Sequence, residues 1–196
     1  MHYRTKKFRK HHPMGWSTLA AAKITIVKRE WWKALPPIKQ DGFDNTRSIR
    51  YIIYSHTSGP RCKKKAECVK LVQDMQKQHM DWGMPDIRYS FLIGGDDNIY
   101  EGRGFNAKPV INRKYPELYG KSIEVAYIGN YSEKGWVYKE PTRNMWDKGW
   151  QIIRHGSDTG KIPECELRYY FDTDRDDLDP WEMPPGGTMR FSREYP

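Results

Sequence analysis

Residues 86–106 read DIRYSFLIGGDDNIYEGRGFN and contain the clearest structural pattern of the chain. The aromatic and aliphatic run at 89–93 predicts a β-strand. The residues at 94–98 are Gly, Asp and Asn, which favour a tight hairpin turn. Residues 99–101 predict the returning strand, and a long irregular loop is expected over 102–120. The stretch therefore predicts a β-hairpin that leads into a loop.

Further elements are predicted on both sides of this hairpin. Strands are expected at 24–27, 49–54, 122–128 and 167–171, and helices at 63–80 and 142–155. The run at 49–54 is apolar enough for a central strand. The run at 122–128 alternates, which predicts that Ile123, Val125 and Tyr127 lie on one face. The order of the elements predicts an α/β fold, with a mixed central β-sheet flanked by helices.

Side-chain patterns support both helices. In the first helix, apolar residues at spacings of four, three and four predict one buried stripe of Cys68, Val72, Met75 and His79. Thr142 is the expected N-cap of the second helix, and Gly156 lies near its expected end.

The length and composition exclude several classes of protein. A chain of 196 residues suits one compact domain, and 37% hydrophobic with 14% aromatic residues suffices to bury a core. No apolar run approaches the ~20 residues that a membrane span needs, so no transmembrane segment is expected.

The positive charge is concentrated at the N-terminus. The net charge is +9, and residues 1–22 hold five Lys or Arg and no acid, which leaves +4 for 23–196. We expect 1–22 to be a flexible basic arm and 23–196 to be the folded domain. One alternative is that the arm binds nucleic acid or an anionic membrane. The apolar segment at 16–22 is short for a signal peptide.

Three cysteines give a first indication of the compartment. Cys62 and Cys68 lie six residues apart, Cys165 is distant, and the CxxC spacing of metal or redox sites is absent. A turn that runs into a helix can bring Cys62 and Cys68 within disulfide distance. The spacing alone allows either a disulfide, which would imply an oxidising compartment, or two free thiols.

Five segments, in order, resemble the peptidoglycan recognition protein family. They are KREWWKALPP at 28–37, SHTSG at 55–59 followed by Cys62 and Cys68, the segments 86–94 and 99–106, and SIEVAYIGNY at 122–131. The resemblance covers roughly residues 24–172. It implies a single-domain amidase-like α/β fold, a Cys62–Cys68 disulfide, secretion, and a groove for the peptide stem of peptidoglycan.

The enzymes of this family are zinc amidases whose metal is held by two His and one Cys. The resemblance places Ser55, Asp174 and about Pro184 at these three positions. A neutral Ser hydroxyl is a poor zinc ligand beside imidazole or thiolate, and only Tyr89 matches the Tyr that assists the metal. We therefore expect binding without hydrolysis and no cofactor. The alternative is an amidase with a displaced zinc site.

The resemblance also implies which residues line the groove. They are His56, Thr57, His79, Tyr89, Arg103, Phe105 and Asn106. Arg103 is expected to pair with a stem-peptide carboxylate, and Gly102 and Gly104 to let the backbone approach closely. The alternatives are core packing for His79 and Phe105, and a surface ion pair for Arg103.

The resulting hypothesis is a pattern-recognition protein of innate immunity. Its expected partners are bacterial peptidoglycan or muramyl peptides and a protein of a signalling or protease cascade, with no specific nucleic acid. Retention of Arg103 favours diaminopimelate-type stems slightly. A member of the family that has lost ligand binding is a further alternative.

Overall fold

The computed structural model describes residues 24–43, 49–110, 118–131, 141–162 and 168–171. The predicted arm at 1–22 lies outside these residues, as do Cys165, Asp174 and Pro184. Neither helix of the described residues has both the length and the apolar composition of a membrane span.

Six strands and two helices form the described fold. The strands are β1 Ile26–Val27, β2 Tyr51–His56, β3 Phe91–Ile93, β4 Ile99–Glu101, β5 Ser122–Tyr127 and β6 Arg168–Phe171, and the helices are α1 Lys65–Asp81 and α2 Arg143–Asp158. The strand order is β1-β4-β3-β5-β2-β6. The hairpin pair β3–β4 is antiparallel, and the other four pairs of these strands are parallel. The predicted mixed α/β sheet is confirmed.

Strand β5 lies between β3 and β2 and has one face in each of two hydrophobic cores. Ile123, Val125 and Tyr127 pack in the core that includes Met145 and other α2 residues, as the alternating pattern predicted. Ala126 belongs to the second core, beside α1. Helices thus cover both faces of the strand, and even the intervening Glu124 is fully buried.

Helix α1 confirms most of the predicted stripe. Cys68, Val72 and His79 are buried, whereas Met75 is only partly buried. The polar Gln76 is buried instead, because its amide donates to the carboxylate of Asp86 at 2.7 Å and to a backbone carbonyl of the N-terminal segment. Apolar periodicity could not predict this position, since the burial depends on distant hydrogen-bond partners.

The start of α2 is confirmed and its predicted end is wrong. The Thr142 hydroxyl accepts a hydrogen bond from the Met145 N–H at 3.3 Å. The helix continues to Asp158, so Gly156 lies inside it. A Cβ at Gly156 would lie 2.6 Å from Cδ1 of Ile162, so the glycine permits close packing and does not end the helix.

The disulfide that the resemblance implied is present. Cys62 and Cys68 are joined with a Cα–Cα distance of 5.1 Å, and both are buried beside the start of α1. The bridge fixes the segment that connects β2 to α1.

Candidate functional site

The sheet topology divides the predicted groove residues into two groups. His56 and Thr57 lie where the parallel strands end, because His56 is the last residue of β2. The other group is His79, Tyr89, Arg103, Phe105 and Asn106. These residues lie near the start of β3, because β4 runs antiparallel and Glu101 at its end pairs with Phe91. In the register of the sheet, Phe91 is level with Tyr54, two residues before His56, so the start of β3 and the end of β2 differ by roughly 7 Å along the strand direction.

His79, Tyr89 and Trp82 form an aromatic cluster at the end of α1. The His79 ring lies 5.7 Å from the Tyr89 ring and 5.8 Å from the Trp82 ring. Trp82 is 65% exposed, while His79 and Tyr89 are buried. The structure therefore brings two of the predicted residues together and adds an exposed aromatic surface beside them.

The environment of His79 fixes its charge and its tautomer. Nδ1 accepts a hydrogen bond from the backbone N–H of Arg88 at 3.1 Å. Burial, and secondarily the charge of Arg88, lower the pKa of His79 to about 4. A neutral ring whose Nδ1 accepts must carry its proton on Nε2. His79 is therefore a neutral donor at neutral pH.

Arg103 lies in a buried cluster with an excess of positive charge. Its side chain is 2% exposed, and Nε donates to the Lys108 carbonyl at 2.6 Å. Nη1 lies 3.9 Å from Oδ2 of Asp86 and has no hydrogen-bond partner among the described residues. Asp86 also pairs with Arg29 at 3.0 Å, so one carboxylate serves two guanidinium groups. The surface ion pair considered for Arg103 is not what the structure shows.

Phe105 and Asn106 have different surroundings. Phe105 packs against Phe91 with ring centres 4.6 Å apart and belongs to the core beside α2. Asn106 is exposed, and its Oδ1 accepts from Nζ of Lys161 at 3.2 Å. The structure therefore favours the packing alternative for Phe105, and the ligand role of each residue stays a prediction.

Two glycines shape the backbone between Tyr89 and Arg103. A Cβ at Gly102 would lie 2.3 Å from the Tyr89 carbonyl oxygen, and Gly104 has φ +65°. The Arg103 N–H donates to the same Tyr89 carbonyl at 2.9 Å. The expected close approach of the backbone is therefore seen at Gly102.

At the end of β2, Thr57 and His56 are held by local bonds. Thr57 Oγ1 accepts from the Gly129 N–H at 2.9 Å, and the Ser58 N–H donates to His56 Nδ1 at 3.0 Å. Tyr131 lies beside them, 6.5 Å from the His56 ring and 4.5 Å below the Arg61 guanidinium. The sequence prediction missed Arg61 and Tyr131; the motif 122–131 contained Tyr131 as its last residue.

A buried network that the sequence did not reveal surrounds Ser55. The Ser55 hydroxyl donates to Oε1 of Glu124 at 2.9 Å. Arg88 donates to the same carboxylate from Nη2 at 2.9 Å and from Nε at 3.1 Å. The Arg88 guanidinium also lies over the Tyr89 ring at 5.5 Å. The two charged residues lie 36 positions apart, which is why local patterns did not pair them.

The donor set around Ser55 does not fit the zinc site of the amidases. Zinc sites use Cys, His and carboxylate ligands, and the Ser55 hydroxyl is instead a donor to Glu124. The Glu124 carboxylate is held on both oxygens by Arg88. Within the described ranges, no group of three or more His, Cys, Asp or Glu could hold a metal ion. The other two ligand positions, Asp174 and Pro184, lie outside the described residues.

Comparisons with known proteins place this geometry in a family. No family model matches the chain. Peptidoglycan-recognition protein SC1a of Drosophila melanogaster is 37% identical over 154 residues, which is 78% of each chain. Peptidoglycan recognition protein 1 of Mus musculus is 33% identical over 117 residues, which covers 59% of this chain and 62% of the mouse protein.

Solved structures agree with these relatives. The structure of bumblebee PGRP-SA has a TM-score of 0.67 at 29% identity, covering 85% of this chain and 92% of the bumblebee chain. PGRP-LE, solved in complex with tracheal cytotoxin, a monomeric diaminopimelic acid-type peptidoglycan, has a TM-score of 0.65 at 28% identity, covering 74% of this chain and 81% of the PGRP-LE chain. The chain therefore belongs to the peptidoglycan recognition protein family.

Proposed function

We propose that this protein binds the muramyl peptides of bacterial peptidoglycan and does not hydrolyse them. Family membership and the peptidoglycan complex of the related PGRP-LE support the binding half of the proposal. The Ser55–Glu124–Arg88 network carries the other half, because it replaces a metal-ligand position by a charge-balanced ion pair.

Amide hydrolysis by this family requires a Lewis acid that polarises the carbonyl and activates water. A catalytic zinc needs three protein ligands and one open position. At the first ligand position, Ser55 donates its hydrogen to Glu124, and the Arg88 cation lies beside the carboxylate that could otherwise attract a metal. The positive charge of Arg88 would repel a metal cation bound beside it, and this repulsion is strong in a buried site.

The proposed ligand surface includes the His79–Tyr89–Trp82 cluster. Tyr89 and Trp82 offer apolar ring contact, and the neutral His79 offers an N–H donor for a peptide carbonyl. Arg103 belongs to a cluster of two guanidinium groups and one carboxylate, and Nη1 has no hydrogen-bond partner among the described residues. This excess of positive charge supports pairing with a carboxylate of the stem peptide.

We assign the protein to recognition of bacterial cell walls in innate immunity, outside the cell. The Cys62–Cys68 disulfide supports an oxidising compartment. A recognition protein without hydrolytic activity requires a further protein to transmit the signal, and a component of a signalling or protease cascade is the proposed partner.

Sedimentation with insoluble peptidoglycan tests the binding proposal. The wild-type protein should be retained in the pellet, and Tyr89→Ala and Arg103→Ala should reduce retention. Trp31→Ala is the matched control, because Trp31 is a 67% exposed aromatic residue that is not among the proposed groove residues. A wild-type protein that stays in the supernatant would overturn the proposal.

Metal analysis of the purified protein tests the alternative of a displaced zinc site. The proposed function predicts less than stoichiometric zinc after dialysis against zinc-containing buffer. Zinc at one equivalent per chain would support the amidase instead, if a chelator removes both the zinc and the hydrolysis of muramyl peptides.

A further inference from the structure

Arg88 is held in one orientation between the interior and the proposed groove. Two of its nitrogens donate to the two oxygens of Glu124, which is the geometry of a bidentate pair. The Glu124 side chain is 1% exposed and the Arg88 side chain is 21% exposed. The pair therefore has a buried anionic end and a cationic end that reaches the surface.

The surroundings of Arg88 belong to the proposed groove. Its guanidinium lies over the Tyr89 ring at 5.5 Å, and its backbone N–H donates to His79. Through Glu124 it is connected to Ser55 at the end of β2. Arg88 thus connects the His79–Tyr89 cluster to Ser55.

The charge balance of Arg88 differs from that of Arg103. Arg88 has a carboxylate of its own, whereas Arg103 shares Asp86 with Arg29. A guanidinium whose charge is balanced by a carboxylate still donates hydrogen bonds. It can donate to a neutral carbonyl oxygen of a ligand without leaving an unpaired charge. The cluster of Arg103, Arg29 and Asp86 has an excess of positive charge and is better suited to bind a carboxylate of the ligand.

Packing alone does not account for charged residues at this place. A buried ion pair loses much of its attraction to the desolvation of both partners, and apolar residues of similar volume often give equal or greater stability. An ion pair that is fully buried at one end and exposed at the other has instead the properties of a preorganised binding group, whose orientation is fixed before the ligand arrives.

We propose that Arg88 contacts the bound muramyl peptide and donates hydrogen bonds to one of its neutral carbonyl oxygens, with Glu124 and Ser55 as positioning residues. This inference rests on the proposed function, since it assigns a residue of the same groove. It predicts that the affinity contribution of Arg88 is independent of the charge of the stem-peptide carboxyl groups.

Calorimetry with two soluble muramyl tripeptides, one with free carboxyl groups and one amidated, tests the inference. The double variant Arg88→Gln/Glu124→Gln removes both charges together, so that no buried charge is left unpaired. It should bind both ligands about tenfold or more weakly. The matched control Arg154→Gln/Asp158→Asn removes an exposed arginine–carboxylate pair of α2 and should bind as the wild type does.

A second readout separates contact from a purely structural role. The side-chain Nε–H resonance of Arg88, assigned in the wild-type protein by through-bond correlation from its backbone, should shift when either tripeptide is added. The absence of a shift at saturating ligand would overturn the inference even if the double variant fails to fold.

The remaining outcomes are also decisive. Wild-type affinity in a folded double variant, or a loss confined to the ligand with free carboxyl groups, would overturn the inference and leave the proposed function intact. A wild-type protein that binds neither tripeptide would overturn both the proposed function and the inference that rests on it.

Discussion

The hydroxyl of Ser55 donates a hydrogen bond to the buried carboxylate of Glu124 at a distance of 2.9 Å. This contact joins the end of β2 to the neighbouring strand β5, at the residue that the sequence resemblance matches to the first zinc ligand of the family's enzymes. Arg88 balances the charge of this carboxylate through a salt bridge at 2.9 Å. The proposed lack of hydrolysis depends most directly on this contact.

The disulfide is expected to stabilise the fold. Replacing Cys62 and Cys68 together by Ser should lower the free energy of unfolding by about 2 kcal/mol, since the closed loop is short. Urea denaturation measures the change. Reduction of the wild-type protein should give the same value, and a reduced protein as stable as the oxidised one would contradict the expectation.

Asp86 is expected to be one of the most sensitive charged residues. Asp86→Asn should lower the free energy of unfolding by roughly 3 kcal/mol, because it leaves the guanidinium groups of Arg29 and Arg103 without their carboxylate. The control Asp158→Asn breaks an exposed i,i+4 pair and should change stability by less than about 0.5 kcal/mol. Equal effects of the two substitutions in thermal or urea unfolding would refute this assignment.

Gly102 is expected to tolerate no side chain. In Gly102→Ala the new Cβ would lie 2.3 Å from the Tyr89 carbonyl oxygen, so the backbone must shift. We expect a loss of roughly 1–3 kcal/mol in stability and weaker retention on peptidoglycan. Gly59→Ala is the control, because its nearest neighbour would lie at 3.7 Å. An unchanged melting temperature in Gly102→Ala would show that the segment is not as closely packed as described.

His79 should make stability depend on pH in the acid range. Its pKa is lowered from 6.5 to about 4 in the fold, mainly by burial and then by the charge of Arg88. The unfolded chain therefore binds a proton that the folded chain does not, and stability falls as the pH drops from about 6.5 to about 4. Urea unfolding at several pH values should show a shallower fall for His79→Gln than for the wild type. Parallel pH profiles of stability for the wild type and His79→Gln would mean that His79 has the same pKa in the folded and unfolded chains, contrary to this prediction.

Local sequence patterns predicted the elements of the fold better than the side-chain contacts of the site. Apolar alternation predicted β5, and the Thr142 hydroxyl predicted the start of α2, because both signals act between close neighbours in sequence. The predicted end of α2 at residue 155 is three residues short of the observed end at Asp158. Gly156 lies inside the helix, where the lack of a side chain permits close packing against Ile162.

The candidate site was only partly predictable. Motif resemblance identified His79 and Tyr89, and the structure places their rings in contact. Local patterns predicted neither the burial of Arg103 nor the pairing of Arg88 with Glu124. The acidic partner of each arginine is much farther along the chain than the spacings that place two residues side by side on one helix or strand. Buried charge pairs of this kind are set by the tertiary fold.

Incubation of the protein with insoluble peptidoglycan and zinc, followed by sedimentation, tests the central claim most directly. Two quantities are measured: the protein in the pellet, and the free L-alanine amino termini released by cleavage of the muramyl amide bond. We predict that the protein sediments with the polymer while the number of free amino termini stays at the level of a protein-free control. Release of stem peptides above that level, or protein that remains in the supernatant, would contradict the account.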